Sequence, residues 1–255
     1  MNRLYIIALS FILLNMAIEE THAQKRETYE WDRELPTYLD SLQKDLTYPM
    51  AWGNSRQKNY RKWQKETRAK VFETMMAPPP RAKKWDMKVV AEEQREGYKA
   101  QKIEFNASRY YRISALLLIP DSEGKHPAIN LLHDHGAHFF IGKEKMIRPL
   151  EGDTAVSNDA ERWARQIYDG QFLGDLLAKN GYVVISTDAP FWGERGRKEG
   201  VDKSKYADAA GNMMMLGRDL SAFMTYDDIA TTDFLATLPC VDAERIGCGR
   251  GCPSL

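Results

Sequence analysis

The feature that most constrains this 255-residue chain is a change of hydrophobic period near its middle. Ala128 to Leu132 is a nearly continuous apolar run, as expected of a strand buried on both faces, and beyond it strand and helix patterns alternate. Phe172 to Lys179 reads as a helix closed by Asn180-Gly181, and Tyr182 to Thr187 as a strand. Asp227 to Leu238 then reads as a helix, and Arg245 to Cys248 as the start of another strand. Strands joined by helices of these lengths need right-handed crossovers. The fold class expected is therefore α/β, a mostly parallel sheet flanked by helices.

Upstream, Met87 to Ala91, Gln101 to Phe105 and Ile113 to Ile119 read as three further strands separated by polar or Gly-containing stretches. Before Trp85 the period is helical: Leu35, Leu39, Leu42 and Leu46 recur at helical spacing, as do Tyr60, Trp63, Thr67 and Val71. Pro78-Pro79-Pro80 ends that region, because proline lacks an amide hydrogen and restricts its predecessor. The expected division is a helical extension over 24–80 and an α/β domain over 81–255. Trp52 and Trp63 are expected to make core or lid contacts.

Met1-Asn2-Arg3 carries a positive charge, Leu4 to Ile18 is apolar apart from Ser10 and Asn15, and small or short side chains follow at Thr21 and Ala23. These are the parts of a cleavable signal peptide, and the run is short for a membrane span of ~20 residues. Cleavage is expected after Ala23, giving a secreted or periplasmic protein that begins at Gln24 and has no membrane partner. Lys plus Arg and Asp plus Glu number 36 each, so no basic excess exists to neutralise phosphates, and nucleic acid is not an expected partner. The three cysteines, Cys240, Cys248 and Cys252, crowd one end rather than spreading as a disulfide framework, so stability is expected from packing.

The strand ending at Leu132 runs into His133-Asp134-His135-Gly136-Ala137-His138. A polar, Gly-containing turn thus stands at the carboxyl end of a central parallel strand, where ligands of open α/β sheets bind. Three imidazoles with Asp134 also echo a His-x-His-x-Asp-His zinc motif, although Ala137 stands where that motif has its aspartate. Lys143-Glu144-Lys145 and Arg195-Gly196-Arg197-Lys198 read as solvated loop charges, with Glu194 and Arg195 as alternative cleft residues.

The His-Gly turn resembles the oxyanion-hole loop of α/β-hydrolases. So do Gly181 to Asp188 with Phe191-Trp192-Gly193-Glu194-Arg195-Gly196, and the strand Asp242-Ala243-Glu244-Arg245-Ile246-Gly247-Cys248. Together, over about Trp85 to Cys248, they are similar to secreted bacterial acetyl-xylan-esterase-like and dienelactone-hydrolase-like enzymes. The resemblance implies a serine hydrolase without cofactor or metal, acting on an acylated carbohydrate or other small ester. It implies that the Ala137 amide is an oxyanion donor, with Gly136 allowing the backbone to approach and His135 beside it. It also implies a Gly-x-Ser-x-Gly elbow straight after the last strand.

The sequence departs from the family at that elbow, reading Gly249-Arg250-Gly251-Cys252-Pro253-Ser254-Leu255. Cys252 occupies the position of the nucleophilic serine, Arg250 stands where a small side chain is needed, and Pro253 has no amide hydrogen for the second oxyanion bond. In this family the histidine follows the nucleophile, but the last histidine here is His138. Read two bases later, the codons for Gly249 to Leu255 permit Ala-Gly-Leu-Ser-Leu-Ala, with serine over position 252. The expectation is a truncated, inactive esterase chain in which Cys252 has no catalytic role. The alternatives are a cysteine hydrolase, a metal-dependent hydrolase using His133, His135 and His138, and a non-catalytic carbohydrate-binding protein.

Overall fold

The computed structural model describes residues 37–196 and 203–250. The expected signal peptide and its cleavage site, Leu35, Arg197, Lys198, Cys252 and Pro253 lie outside the described residues. The N-terminal unit, ending at Arg68, holds helix α1 (Thr37–Lys44) and the start of α2 (Tyr60–Thr74). Within it Trp52, Tyr60 and Trp63 form an aromatic trio with centroids 5.1–5.5 Å apart, and the Trp63 indole donates to the Met50 carbonyl at 2.9 Å. Trp52 is 44% exposed, so the expected core contact is found only at half-buried Trp63.

The second unit is built on a six-stranded sheet. Its strands are β1 (Lys88–Arg95), β2 (Tyr98–Asn106), β3 (Arg112–Pro120), β4 (His126–Leu132), β5 (Val183–Thr187) and β6 (Val241–Arg250), in spatial order β1-β2-β3-β5-β4-β6. The sheet is mixed. β4 pairs in parallel with β5 and β6, as the alternating pattern requires, while β1, β2 and β3 are joined by short turns and pair antiparallel. β3 also runs antiparallel to β5, which joins the two halves.

Helices cover both faces. Helix α3 (Thr154–Ile167) is capped by the Asp153 carboxylate, which accepts from the amides of Ala155 and Val156. Helix α4 is Leu173–Lys179, α5 is Lys203–Met215 and α6 is Leu220–Leu235. On one face Ala230, Phe234 and Leu235 of α6 pack on Ile103, Phe105, Ala128, Val183 and Ile185. Phe105 and Phe234 stack there at 4.3 Å. On the other face Ala178 of α4, with Met146 and Ile147, packs on Leu116, Leu118, Leu131 and Val184. Asn130, fully buried on β4, donates to the Asp228 carbonyl and the Thr232 hydroxyl, both at 3.1 Å, and so fixes α6 against the central strand.

Helix α6 starts seven residues earlier than its pattern suggested, and β6 is longer at both ends. Helices α3 and α5 had no counterpart in the sequence reading. Cys240 and Cys248 are free thiols; Cys248 is exposed, because β6 pairs on one side only among the described residues. No helix among the described residues is long and apolar enough to cross a membrane.

Candidate active site

The carboxyl ends of β4, β5 and β6 share one edge of the sheet, since the three strands are parallel. The turn after β4 lies there, with His133 and Asp134 buried and His135, Gly136 and Ala137 exposed. Gly136 and Ala137 both have φ of +51°, a left-handed conformation that costs an L-residue roughly 1–2 kcal/mol. A Cβ on Gly136 would lie 2.5 Å from the Trp163 ring and 2.7 Å from an Asp134 carboxylate oxygen, so the glycine is needed for space as well as for φ.

What holds this strained turn is a buried lysine. Lys145 is fully buried, and its ammonium donates to the carbonyls of Asp134 (3.1 Å) and His135 (3.2 Å) and lies 3.4 Å from the Asp134 carboxylate. It also sits 4.8 Å from the centre of the Trp163 ring. The Trp192 indole donates to the same His135 carbonyl at 3.2 Å. In a trans peptide the N–H points opposite to the C=O, so two carbonyls drawn inward turn the amides of His135 and Gly136 outward. The Ala137 amide donates to His135 Nδ1 at 3.1 Å. Asp134 accepts from the Trp163 indole (3.1 Å) and the Tyr168 hydroxyl (2.7 Å). Burial outweighs the nearby Asp134 and lowers the Lys145 pKa.

A second buried lysine anchors the loop after β5. Lys143 Nζ lies 2.7 Å from Asp188, 2.9 Å from Glu144 and 3.3 Å from Glu194. Asp188 also accepts from the amides of Lys143 (2.8 Å) and Glu194 (3.0 Å). Burial opposes the Lys143 charge, but Asp188, Glu144 and Glu194 raise its pKa above the ordinary lysine value. Burial likewise opposes ionisation of Glu194, yet Lys143 and then Lys102 hold its carboxyl down at about 2. The run Lys143–Lys145 is therefore an ion-paired core beneath the site and not the solvated loop its composition suggested. Its flanks, Ile141, Met146 and Ile147, are fully buried and were the sequence signal that could have revealed this.

Glu194 and Arg195 line a cavity of about 510 Å³ with Lys102 and Glu104 of β2 and Arg112 and Ser114 of β3, a set that includes no residue of the turn after β4. Arg195 pairs with Asp227 at 2.7 Å and donates to the Asp188 carbonyl at 3.1 Å, tying α6 to the loop after β5. Next to it, burial and then the Asp227 charge push Asp228 up to about 7.

The three imidazoles do not converge on a common point of coordination. His133 has Nδ1 2.8 Å from the Asp134 carbonyl, while its Nε2 accepts from the Ala189 amide at 3.0 Å, which fixes the neutral Nδ1-protonated tautomer. Burial pushes its pKa down to about 4. His138 bonds Asp159 and stacks on Trp163 with centroids 5.1 Å apart. Among the described residues no group of three or more His, Cys, Asp or Glu could hold a metal.

Known proteins share this architecture. YtaP of Bacillus subtilis (strain 168), assigned as a hydrolase, is 25% identical over 126 residues, which cover 49% of this chain and 35% of its own. A protein of Bacteroides fragilis NCTC 9343, assigned as an acetyl xylan esterase, superposes with a TM-score of 0.63 at 23% identity over 87% of this chain and 56% of its own. That likeness shows the fold. The chain thus spans about a third to a half of the length of these relatives. The sequence profile of the Abhydrolase family matches residues 37–249, most of the chain, and the chain belongs to that family.

Proposed function

We propose that this sequence encodes the oxyanion-loop half of a carboxylic-ester hydrolase of the α/β-hydrolase type, acting on an acylated carbohydrate or similar small ester. The observation that carries this reading is the His135-Gly136-Ala137 turn at the end of β4, with the carbonyls of Asp134 and His135 drawn onto buried Lys145. A turn so fixed offers preorganised backbone N–H groups to a developing oxyanion, and such a donor is typically worth about 3–4 kcal/mol of transition-state stabilisation. In this role the Ala137 amide exchanges its bond to His135 Nδ1 for one to the substrate oxygen, and Gly136 keeps the approach open.

The chemistry also needs a nucleophile and a base. Position 252 is the nucleophile's place by resemblance and carries Cys252 here, next to Pro253, which has no amide hydrogen for a second oxyanion bond. We propose on that ground that Cys252 supports no ester turnover. The N-terminal pattern ending at Ala23 supports export to the periplasm or beyond. The test is p-nitrophenyl acetate hydrolysis by three proteins: the chain as printed, its Cys252→Ser variant, and the product of the reading frame shifted by two bases from codon 249. Turnover is expected only from the third, and a serine-reactive phosphonate should label only that protein.

A further inference from the structure

Helix α5 lies between β5 and α6 in sequence and is exposed over most of its length, with Met214 and Met215 56% and 87% exposed. Its half-buried positions are Tyr206, Ala209, Ala210 and Met213. Tyr206 is half-buried and reaches the rings of His135 (5.8 Å between centroids), Phe139 (5.8 Å), Phe191 (5.6 Å) and Trp192 (5.7 Å). It thus stands over the turn that carries the proposed oxyanion donor. The interplanar angles with these rings are 87°, 40°, 75° and 77°, so none of them stacks flat on the phenol ring.

The surroundings are fixed with unusual effort. Two non-glycine residues at this basin, Ala137 (φ +51°) and Phe191 (φ +79°), hold left-handed conformations. Such strain persists only where neighbouring structure over-determines it, and it concentrates at ligand-contacting positions. A Cβ at Gly196 would collide with the Phe191 carbonyl, so a close backbone crossing locks Phe191 in place. Trp192 is buried and bonded to the His135 carbonyl. Burial, and then Asp219, raise the Tyr206 pKa above the ordinary tyrosine value.

We propose that Tyr206 is a specificity-determining residue that contacts substrate, its ring and hydroxyl forming one wall of a subsite for a pyranose ring above the His135–Ala137 turn. This deepens the esterase reading and rests on it for the identity of the reacting group. A pyranose presents an apolar C–H face and a rim of hydroxyls, which matches a phenol that offers an unstacked ring and a polar tip. A purely apolar acyl chain would leave the hydroxyl without use.

The test reads binding, not turnover. The full 255-residue chain is titrated with acetylated xylobiose, following tryptophan emission and saturation-transfer NMR. The same is done for Tyr206→Ala, Tyr206→Phe and, as a control away from the turn, Tyr110→Ala, with near-UV circular dichroism confirming that each variant is folded. Tyr206→Ala should weaken binding about tenfold or more, Tyr206→Phe should fall between it and the parent, and Tyr110→Ala should match the parent. Equal affinity of the parent and Tyr206→Ala, or no binding by the parent, would overturn the assignment. A frame-shifted protein that binds the disaccharide through Tyr206 but leaves its acetyl group in place would instead overturn the esterase reading and leave Tyr206 standing.

Discussion

Replacing Lys143 by methionine keeps the length of the side chain and removes its charge from a site where that charge is 1% exposed. Asp188, with no exposed side-chain surface, would keep two amide donors but lose its ammonium partner at 2.7 Å, and Glu144 and Glu194 would lose the same cation. Removing one member of a buried ion pair typically costs about 3–5 kcal/mol. At about 2–4 °C per kcal/mol for a domain of this size, the melting temperature should fall by about 6–20 °C. The effect should also depend on pH. In the parent, Glu194 is held at about 2, below the ordinary glutamate value of about 4.3. Its contribution is therefore present above pH ~4.3 and is lost as pH falls toward 2. Without Lys143, Glu194 loses the cation that contributes most to holding it down, so the gap between variant and parent should narrow as pH falls from about 4.3 toward 2. Thermal melts followed by circular dichroism across that range provide the assay. A drop of less than about 2 °C, or a gap that does not change with pH, would refute the buried-network reasoning.

Other consequences follow from the same geometry. His133 is held neutral with a pKa of about 4 against about 6.5 when unfolded, so the unfolded chain binds more protons between those values. The parent should lose about 3 kcal/mol from this group as pH falls from 6.5 to 4, and urea titrations of His133→Gln should lack that component. Lys145→Met removes the donor to two turn carbonyls, and hydrogen exchange should show the amides of residues 134–138 exchanging at least tenfold faster than in the parent. Gly193→Ala places a Cβ 2.6 Å from Asp188 at φ +51° and should cost at least about 1–3 kcal/mol by chemical denaturation.

The parts of the fold that were legible are those set by local pattern. β4 is apolar because it is covered on both faces, and α4 ends at Asn180-Gly181, where Gly181 has φ of +84°. Helix α3 was missed because its buried side includes Ala160 and Ala164, residues too small to mark a hydrophobic period. Helix α6 begins before its expected start because Leu220 to Tyr226 is apolar at almost consecutive positions, which marks no helical period. The turn at His135–Ala137 could be located from sequence, but what holds it could not. Lys145 and Lys143 read as surface charges, since their partners Asp134 and Asp188 lie 11 and 45 residues away in sequence. Tyr206 gave no signal at all, because its meaning comes from four rings supplied by two other loops.

The central claim is the proposal that the His135–Ala137 turn serves as the oxyanion loop of an ester hydrolase and that Cys252 is not its nucleophile. The most direct test is the initial rate of p-nitrophenyl acetate hydrolysis by the purified 255-residue chain beside the frame-shifted protein. Expected is a background rate for the chain and for Cys252→Ser, with turnover of the frame-shifted protein abolished by replacing the serine at position 252 with alanine. Robust turnover by the chain as printed, lost in Cys252→Ala, would contradict the claim and establish a cysteine hydrolase.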